Sequence, residues 1–340
     1  MSIVMTYVGL DYHKDSIRVC ILDESGQELF NRNCPNDVEA VAEKIAEFGR
    51  PSAVAIEACC GAADFAYELQ QRCDWNIKLS HPGYVRRLKQ SPDKSDKSDG
   101  YLLADLVRVD YLPEVWLAPL ATRQLRRLVR FRQQLKRERT EVKQQIQGLL
   151  ADERALEAPA NPWTKAWLAW LDKTTQLGEE ARWVLQRQLA RLERVEKEIN
   201  AVDERLAEVT KEDPVYQKLL EQPGVGPVTA ATLRAEIGSF DRFQSGKQLA
   251  RYCGVTPCNA SSGKRQSDAG LIRASNPELR TILVETAHRL ARYDERWKQF
   301  KAKLVKRNKP GSVAAAAVAN RWVRGLYYQM ASGKQESKAA

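Results

Sequence analysis

Histidine is scarce in this sequence, and cysteine is present without a pattern. Only three histidines occur in 340 residues, His13, His81 and His288, and they share no spacing. A histidine-based triad or zinc centre is therefore not expected. The seven cysteines include no Cys-x-x-Cys, and Cys59 and Cys60 are adjacent. That suits neither a simple bridge nor a zinc ribbon. Free buried thiols in a reducing cytoplasm are the expectation. Long hydrophobic runs are missing as well. The longest small-apolar stretch, 313–319, falls well short of the roughly 20 residues of a membrane-spanning helix. The opening Met-Ser-Ile-Val-Met-Thr has neither a basic segment nor a cleavage site, so no signal peptide is expected. Negative charge is in deficit, with 54 Lys and Arg against 44 Asp and Glu, a net charge of +10. That balance favours a polyanionic partner such as nucleic acid. A hydrophobic content of 43% argues against global disorder.

What is there falls into segments. Residues 1–117 read as α/β. β-like runs fall at 7–12 and 17–22, and a turn at Glu24-Ser-Gly-Gln27 leads to a third run at 28–33. Asn36-Asp-Val-Glu39 has the form of a capping box, and Gly49 stops the helix that follows. A strand at 52–56, a helix at 62–73, a short strand at 77–79 and a helix from Lys97 complete the segment. This order predicts a mixed sheet with helices packed on it. Residues 118–213 change character. Leu125, Leu128, Phe131, Leu135, Val142, Ile146 and Leu149 form one helical stripe. Leu185, Leu189, Leu192, Val195, Ile199, Val202, Leu206 and Val209 form another. They predict long helices, either an antiparallel pair or an intermolecular coiled coil. Trp163, Trp167 and Trp170 share a helical face between them, as packing or as a stacking surface. Residues 214–330 form a third, mostly helical unit. The small polar tail at 331–340 is expected to be flexible.

Four acids carry the chemistry. Asp11 ends the first β-like run and Glu57 ends a later one, while Asp96 and Asp99 open a helix in Lys94-Ser-Asp-Lys-Ser-Asp99. Strand-terminal acids meet if their strands are neighbours, and acids three apart point the same way on a helix. Converging carboxylates suit Mg²⁺, a hard cation that phosphodiester chemistry commonly uses. The plainer reading is that Asp96 and Asp99 cap a helix. Gln222-Pro-Gly-Val-Gly-Pro227 precedes an apolar helical run and has the look of a helix-hairpin-helix. Gly224 and Gly226 would let a phosphate approach the backbone closely. An ordinary turn between helices is the alternative.

In Thr256-Pro-Cys-Asn-Ala-Ser-Ser-Gly-Lys-Arg265, Ser261 and Ser262 offer hydroxyls near Lys264 and Arg265. A hydroxyl needs a base or metal to become a nucleophile, and on spacing alone a surface loop is the simpler reading. Residues 121–150 hold nine Lys or Arg, among them Arg126, Arg127 and Arg130, against two Glu. Residues 295–310 hold seven more, interleaved with Trp297 and Phe300. Two such stretches favour long contact with phosphate backbones.

Together these residues resemble the insertion-sequence-110 family of transposases, also called bridge-RNA-guided recombinases. In the N-terminal part the resemblance is carried by Gly9-Leu-Asp11, Ile56-Glu57-Ala58, His81-Pro82 and Lys-Ser-Asp-Lys-Ser-Asp99. In the C-terminal part it is carried by Pro-Gly-Val-Gly226, Tyr252-Cys-Gly-Val-Thr-Pro257, Ser-Ser-Gly263 and Asn276…Leu279-Arg280. The resemblance implies an RNase H-like, RuvC-like domain at 1–117 whose Asp11, Glu57, Asp96 and Asp99 bind Mg²⁺. It implies a coiled-coil connector at 118–213 for oligomerisation and RNA contact. It implies a transposase domain at 214–330 with a catalytic serine, Ser261 or Ser262. It further implies a phosphoserine intermediate, strand exchange between donor and target double-stranded DNA, and a structured bridge RNA that selects both. A homotetramer sharing its sites between protomers, in the bacterial cytoplasm at the nucleoid, completes the expectation. The sequence departs from the family at Gly100, often Ala, and at Ser275, often Gly. Two other readings stand beside it. One is a metal-only endonuclease of the Holliday-junction-resolvase kind, with structural serines. The other is a non-catalytic nucleic-acid-binding scaffold.

Overall fold

Period-two alternation builds the first part of the chain. β1 (Thr6–Tyr12), β2 (Ser16–Asp23) and β3 (Glu28–Pro35) pair antiparallel in sequence. β4 (Ala53–Glu57) joins β1 in parallel and β5 (Ile77–Ser80) joins β4 in parallel, while the short β6 (Glu114–Val115) closes the edge antiparallel. The order is β3-β2-β1-β4-β5-β6, a mixed sheet that fits the RNase H-like expectation. The computed structural model describes residues 5–88, 96–155, 160–174, 176–259, 268–273 and 275–331. It divides into two units, Met1–Ala121 and Thr122–Ala340.

In the first unit, alternate side chains enter different layers. Val8, Leu10, Ile17, Val19, Ile21, Val54 and Ile56 form one core with α1 (Val38–Ala46) and α2 (Ala62–Cys73). Residues of the opposite parity face α4 (Asp96–Arg108). Ala53 and Ala55, with Tyr7, meet its Leu103, Leu106 and Val107, while Cys20 and Leu22 meet Ala104. α3 (Pro82–Leu88) adds Val85 to that layer. Neither α3 nor β6 was expected, since one is a bare two turns and the other a two-residue strand. The cap of α1 also differs from expectation. Asp37 accepts from the Ala40 amide at 2.8 Å, and Asn36 instead donates to the carbonyl of His13 at 2.8 Å.

In the second unit, α5 (Leu120–Asp152) and α7 (Glu179–Thr210) pack antiparallel. Leu125, Val129 and Leu135 share a core with Val195, Ile199, Val202 and Leu206, and Val142, Ile146 and Leu150 share another with Leu185 and Leu192. The ion pairs Arg132–Asp203 and Arg191–Glu138 tie the two helices. Of the two expected arrangements, the chain forms the antiparallel pair within itself. Phe131 and Val209 turn outward, and Val129 and Leu150 are buried. A 3.6-residue period drifts against a 3.5-residue stripe over so long a helix.

α6 (Lys165–Lys173) lies against this pair. Trp167 is buried there, with Trp163 4.8 Å and Trp170 6.2 Å from it, ring centroid to centroid. The tryptophans therefore pack, although Trp163 precedes the helix rather than sharing its face. Among the described residues there follow α8 (Pro214–Leu220), α9 (Pro227–Ile237), α10 (Gly246–Tyr252), α11 (Pro277–Tyr293), α12 (Glu295–Lys306) and α13 (Gly311–Met330). A two-stranded ribbon, β7 (Pro257–Asn259) with β8 (Asp268–Leu271), stands between α10 and α11. These helices share one core with the near halves of α5 and α7. Trp297 and Phe300 turn into that core rather than out among the basic residues of α12. No described helix is long and apolar enough to cross a membrane.

Candidate active site

The parity of the strands decides where the acids point. On β1 and β4 the residues facing α4 are Tyr7, Gly9 and Asp11 and, beside them, Ala53, Ala55 and Glu57. The register aligns Gly9 with Ala55 and Leu10 with Ile56, so Asp11 and Glu57 come next, side by side at the carboxyl edge. α4 runs against the direction of β1. Its Leu106 and Val107 lie over Tyr7 and Ala53, and its start lies further along the strand. A Cβ on Gly9 would sit 2.1 Å from the Gly100 carbonyl oxygen and 2.5 Å from the Ala104 nitrogen. Helix and strand therefore touch backbone to backbone, and only glycine fits. Asp99, which is buried, directly precedes the Gly100 of this contact. Asp96 opens the same helix by its backbone; its side chain lies outside what the structure describes. The open amides of the first helical turn favour acids there.

Other groups meet these acids. His13 Nε2 lies 3.1 Å from Asp11 Oδ2. Arg18 is the cross-strand partner of Asp11, and its guanidinium donates to Asn31 Oδ1 at 2.7 Å and Asn33 Oδ1 at 3.1 Å. Asn31 in turn donates to the Lys97 carbonyl at 3.2 Å, which ties β3 to the first turn of α4. Burial raises the Cys59 thiol above its ordinary range, and the charges of Glu57 and Asp11 add to the rise. Sequence reasoning passed over His13, Arg18 and Cys59. The only available signal was their closeness to the two strand ends. Among the described residues, no three His, Cys, Asp or Glu side chains are gathered tightly enough to hold a metal ion.

The second unit holds the remaining candidates. Gly224 has φ +76° and packs against Leu290, and its carbonyl accepts from Arg289 Nε at 3.0 Å. Gly226 is the N-cap of α9 with extended backbone, and nothing lies within 4 Å of where its Cβ would be. Ser261, Ser262, Lys264 and Arg265 fall between β7 and β8, outside the described residues. Arg126 and Arg130 are not aimed at an outside phosphate. Arg126 donates to the carbonyls of Ala235 and Glu236 at 2.7 and 3.3 Å, and Arg130 makes a two-pronged bond to the buried Glu236 carboxylate at 2.8 and 3.0 Å. Burial lowers the Arg126 pKa, while the bond to Glu236 raises that of Arg130. Arg127 stays on the exposed face of α5.

Two family models match the chain. Residues 8–153 match a transposase model of the DEDD, IS110 type, and residues 216–302 match one described as transposase IS116/IS110/IS902 family. The chain is similar to the transposase for insertion sequence element IS1111A of Coxiella burnetii, at 26% identity over 84% of this chain and 78% of that one. It is also similar to a probable family 20 transposase of Pseudomonas aeruginosa, at 26% identity over 95% and 96%. Among solved structures, Thermus thermophilus RuvC in complex with a Holliday junction substrate matches 33% of this chain and 99% of that one. The identity is 13% and the TM-score 0.26, too slight to bear on the fold.

Proposed function

This chain belongs to the IS110 family of insertion-element transposases, enzymes that cut and transfer DNA, and from that premise we propose that it is an RNA-guided serine recombinase. The observation that supports the reading is the parallel pairing of β1 with β4, which ends in Asp11 and Glu57, together with the seating of Gly100, the neighbour of Asp99, on Gly9. These are hard oxygen donors, which fit Mg²⁺ rather than a thiophilic ion. Asp11, Glu57 and Asp99, with Asp96 from the same helix, would hold it once drawn together, since the described acids do not by themselves close around an ion. When bound, the ion supplies charge withdrawal from a phosphate oxygen and help in ionising a hydroxyl.

The nucleophile is the hydroxyl of Ser261 or Ser262. Its Oγ bonds to phosphorus as the bond from phosphorus to O3′ breaks. The serine proton leaves to a base, and the departing O3′ takes one up. The products are a phosphoserine ester and a free 3′-hydroxyl. A partner strand's 3′-hydroxyl reverses the step, so strands exchange with the number of ester bonds unchanged. In the proposed homotetramer the acids come from one protomer and the serine from another. A bridge RNA pairs with donor and target DNA and selects both. The protein grips backbones through exposed basic residues such as Arg127, through Lys264 and Arg265, and through the Gly224–Gly226 turn. Arg126 and Arg130 instead hold the fold through Glu236.

The test uses a plasmid carrying the element's junction. Asp11→Asn and Asp99→Asn should bind DNA but fail to cleave it. The double variant Ser261→Ala, Ser262→Ala should lose covalent attachment to DNA. Hydrolysis by the unaltered protein without attachment would refute the serine step and favour the metal-only endonuclease. Absence of a discrete RNA species on purification from the native host would remove RNA guidance.

A further inference from the structure

We propose that Arg280 is the positioning residue for the β7–β8 ribbon, whose intervening segment carries Ser261 and Ser262; the role rests on the function proposed above. The ribbon has two feet. One is the backbone at Gly254 before β7, and the other is the Ile272 backbone with the Ser275 hydroxyl after β8. Arg280, in the first turns of α11, reaches both. Its Nε donates to the Gly254 carbonyl at 3.0 Å, and its Nη2 donates to the Ile272 carbonyl and to Ser275 Oγ, the latter at 2.6 Å. One planar fork therefore fixes the chain entering the ribbon and the chain leaving it. Among the described residues Arg280 forms no ion pair, and its donors go to neutral acceptors.

The surroundings over-determine this clasp. The Ile272 amide donates to the Thr256 carbonyl at 3.1 Å, and Asn320 of α13 donates to the Val255 carbonyl at 3.1 Å. Gly254 has φ +72°, and a Cβ there would meet Ser275 Oγ at 2.1 Å and Arg280 Nη2 at 3.0 Å. Asn276 caps α11, accepting from the Glu278 amide at 3.0 Å while donating to the buried Glu236 at 2.8 Å. The helix that carries Arg280 is thus itself anchored. A two-stranded ribbon of three and four residues has no stability of its own. Its direction is set at its root, and a hydroxyl displaced by about 1 Å loses on the order of 10²-fold in attack.

The experiment takes the full-length protein with the nucleic acid that purifies with it. Arg280→Ala, Arg280→Lys and Ser275→Ala are compared with the unaltered chain by amide hydrogen exchange and by single-turnover covalent attachment to junction plasmid DNA. In Arg280→Ala the amides of the ribbon should lose about tenfold in protection while α11 and α13 keep theirs. Attachment should slow about 10²-fold with DNA affinity unchanged. Arg280→Lys keeps the charge but not the fork, and should slow attachment as well, which separates geometry from field. Ser275→Ala removes one leg and should slow it less. Attachment at the unaltered rate by Arg280→Lys, or unchanged ribbon protection in Arg280→Ala, overturns the proposal. Should Arg280→Ala loosen α11 and α13 too, Ser275→Ala decides: a loosened ribbon with unslowed attachment overturns it. Attachment by the double serine variant would sink the serine reading itself, whatever Arg280 does to the ribbon.

Discussion

Glu236→Ala is expected to destabilise the second unit by about 3 to 5 kcal/mol, the range for removing one partner from a buried, hydrogen-bonded ion set. Glu236 is 1% exposed on α9. Its carboxylate accepts from Arg130 at 2.8 and 3.0 Å and from the Asn276 amide at 2.8 Å, with Arg126 Nε 4.0 Å away. One side chain therefore joins α5, α9 and the cap of α11. The contributions are unequal. The Arg130 side chain is 61% exposed, so solvent screens that pair to about 1 kcal/mol or less. The Arg126 side chain is only 18% exposed, and it would keep its charge with the nearby carboxylate gone. The orphaned Asn276 donor adds about 1 to 3 kcal/mol, and the vacated volume adds more. Glu236→Gln keeps the volume and one acceptor, and should cost about half as much. Urea unfolding followed by tryptophan emission reads the loss as a midpoint shift at constant slope, because Trp297 and Trp322 lie in the affected core. A loss below about 1 kcal/mol for the alanine variant, the ordinary scale of a point substitution, would refute the account of Glu236 as the joint of three helices.

Gly9→Ala should push α4 from the sheet, since the new Cβ meets backbone atoms at 2.1 and 2.5 Å. A stability loss of about 1 to 3 kcal/mol or more should appear in thermal melts, with DNA cleavage falling because Asp99 moves; an unchanged melting temperature contradicts the packing. Gly226→Ser should hold or raise stability by up to about 1 kcal/mol, serine being a good N-cap, yet weaken DNA affinity in filter binding. Gly224→Ala, at positive φ and 3.2 Å from Leu290, should cost about 1 kcal/mol or more of stability. Undiminished affinity in Gly226→Ser would remove the turn from the nucleic-acid interface. Burial pushes the Cys20 thiol up to about 12 from its ordinary 9.0, and raises that of Cys253. The unfolded chain releases those protons first, so their stabilising contribution is whole below pH 9 and declines as pH rises from 9 toward 12. Unfolding midpoints should fall across that window. At pH near 8 a thiol reagent should reach exposed Cys60 and Cys258 well before Cys20, and fast labelling of Cys20 in the folded protein would contradict its burial.

The neighbouring strand ends at Asp11 and Glu57 were legible because they ride on periodic structure. Strand alternation announces Val8, Leu10, Val54 and Ile56 as one buried face, and the opposite parity then carries Asp11 and Glu57 outward together. Nothing local says that β1 and β4 are neighbours. They pair in parallel across the α1 crossover, a long-range choice. The basic stretch on α5 misled for a related reason. Arg130 looks the same in sequence whether its partner is a phosphate or a glutamate 106 residues away. Phe131 and Val209 were lost to accumulated helical drift, an error that grows with helix length.

The root of the serine ribbon could not be read from pattern at all, and its chemistry explains why. Arg280 binds two backbone carbonyls, which every sequence possesses, and its side-chain partner, Ser275, is a neutral hydroxyl that carries no charge pattern to mark the contact. Only Gly254 leaves a trace, as the position where a side chain would strike Ser275. Seen together, the C-terminal motif residues wire one place. Tyr252 donates to the Glu236 carbonyl at 2.9 Å, Asn276 to its carboxylate at 2.8 Å, and Arg280 to Gly254 at 3.0 Å. The intervening Cys253 and Val255 are buried apolar filling. Substitutions at those two should therefore follow volume. Those at Gly254, Asn276 and Arg280 should follow hydrogen bonding and backbone geometry, and conservative size alone will not rescue them.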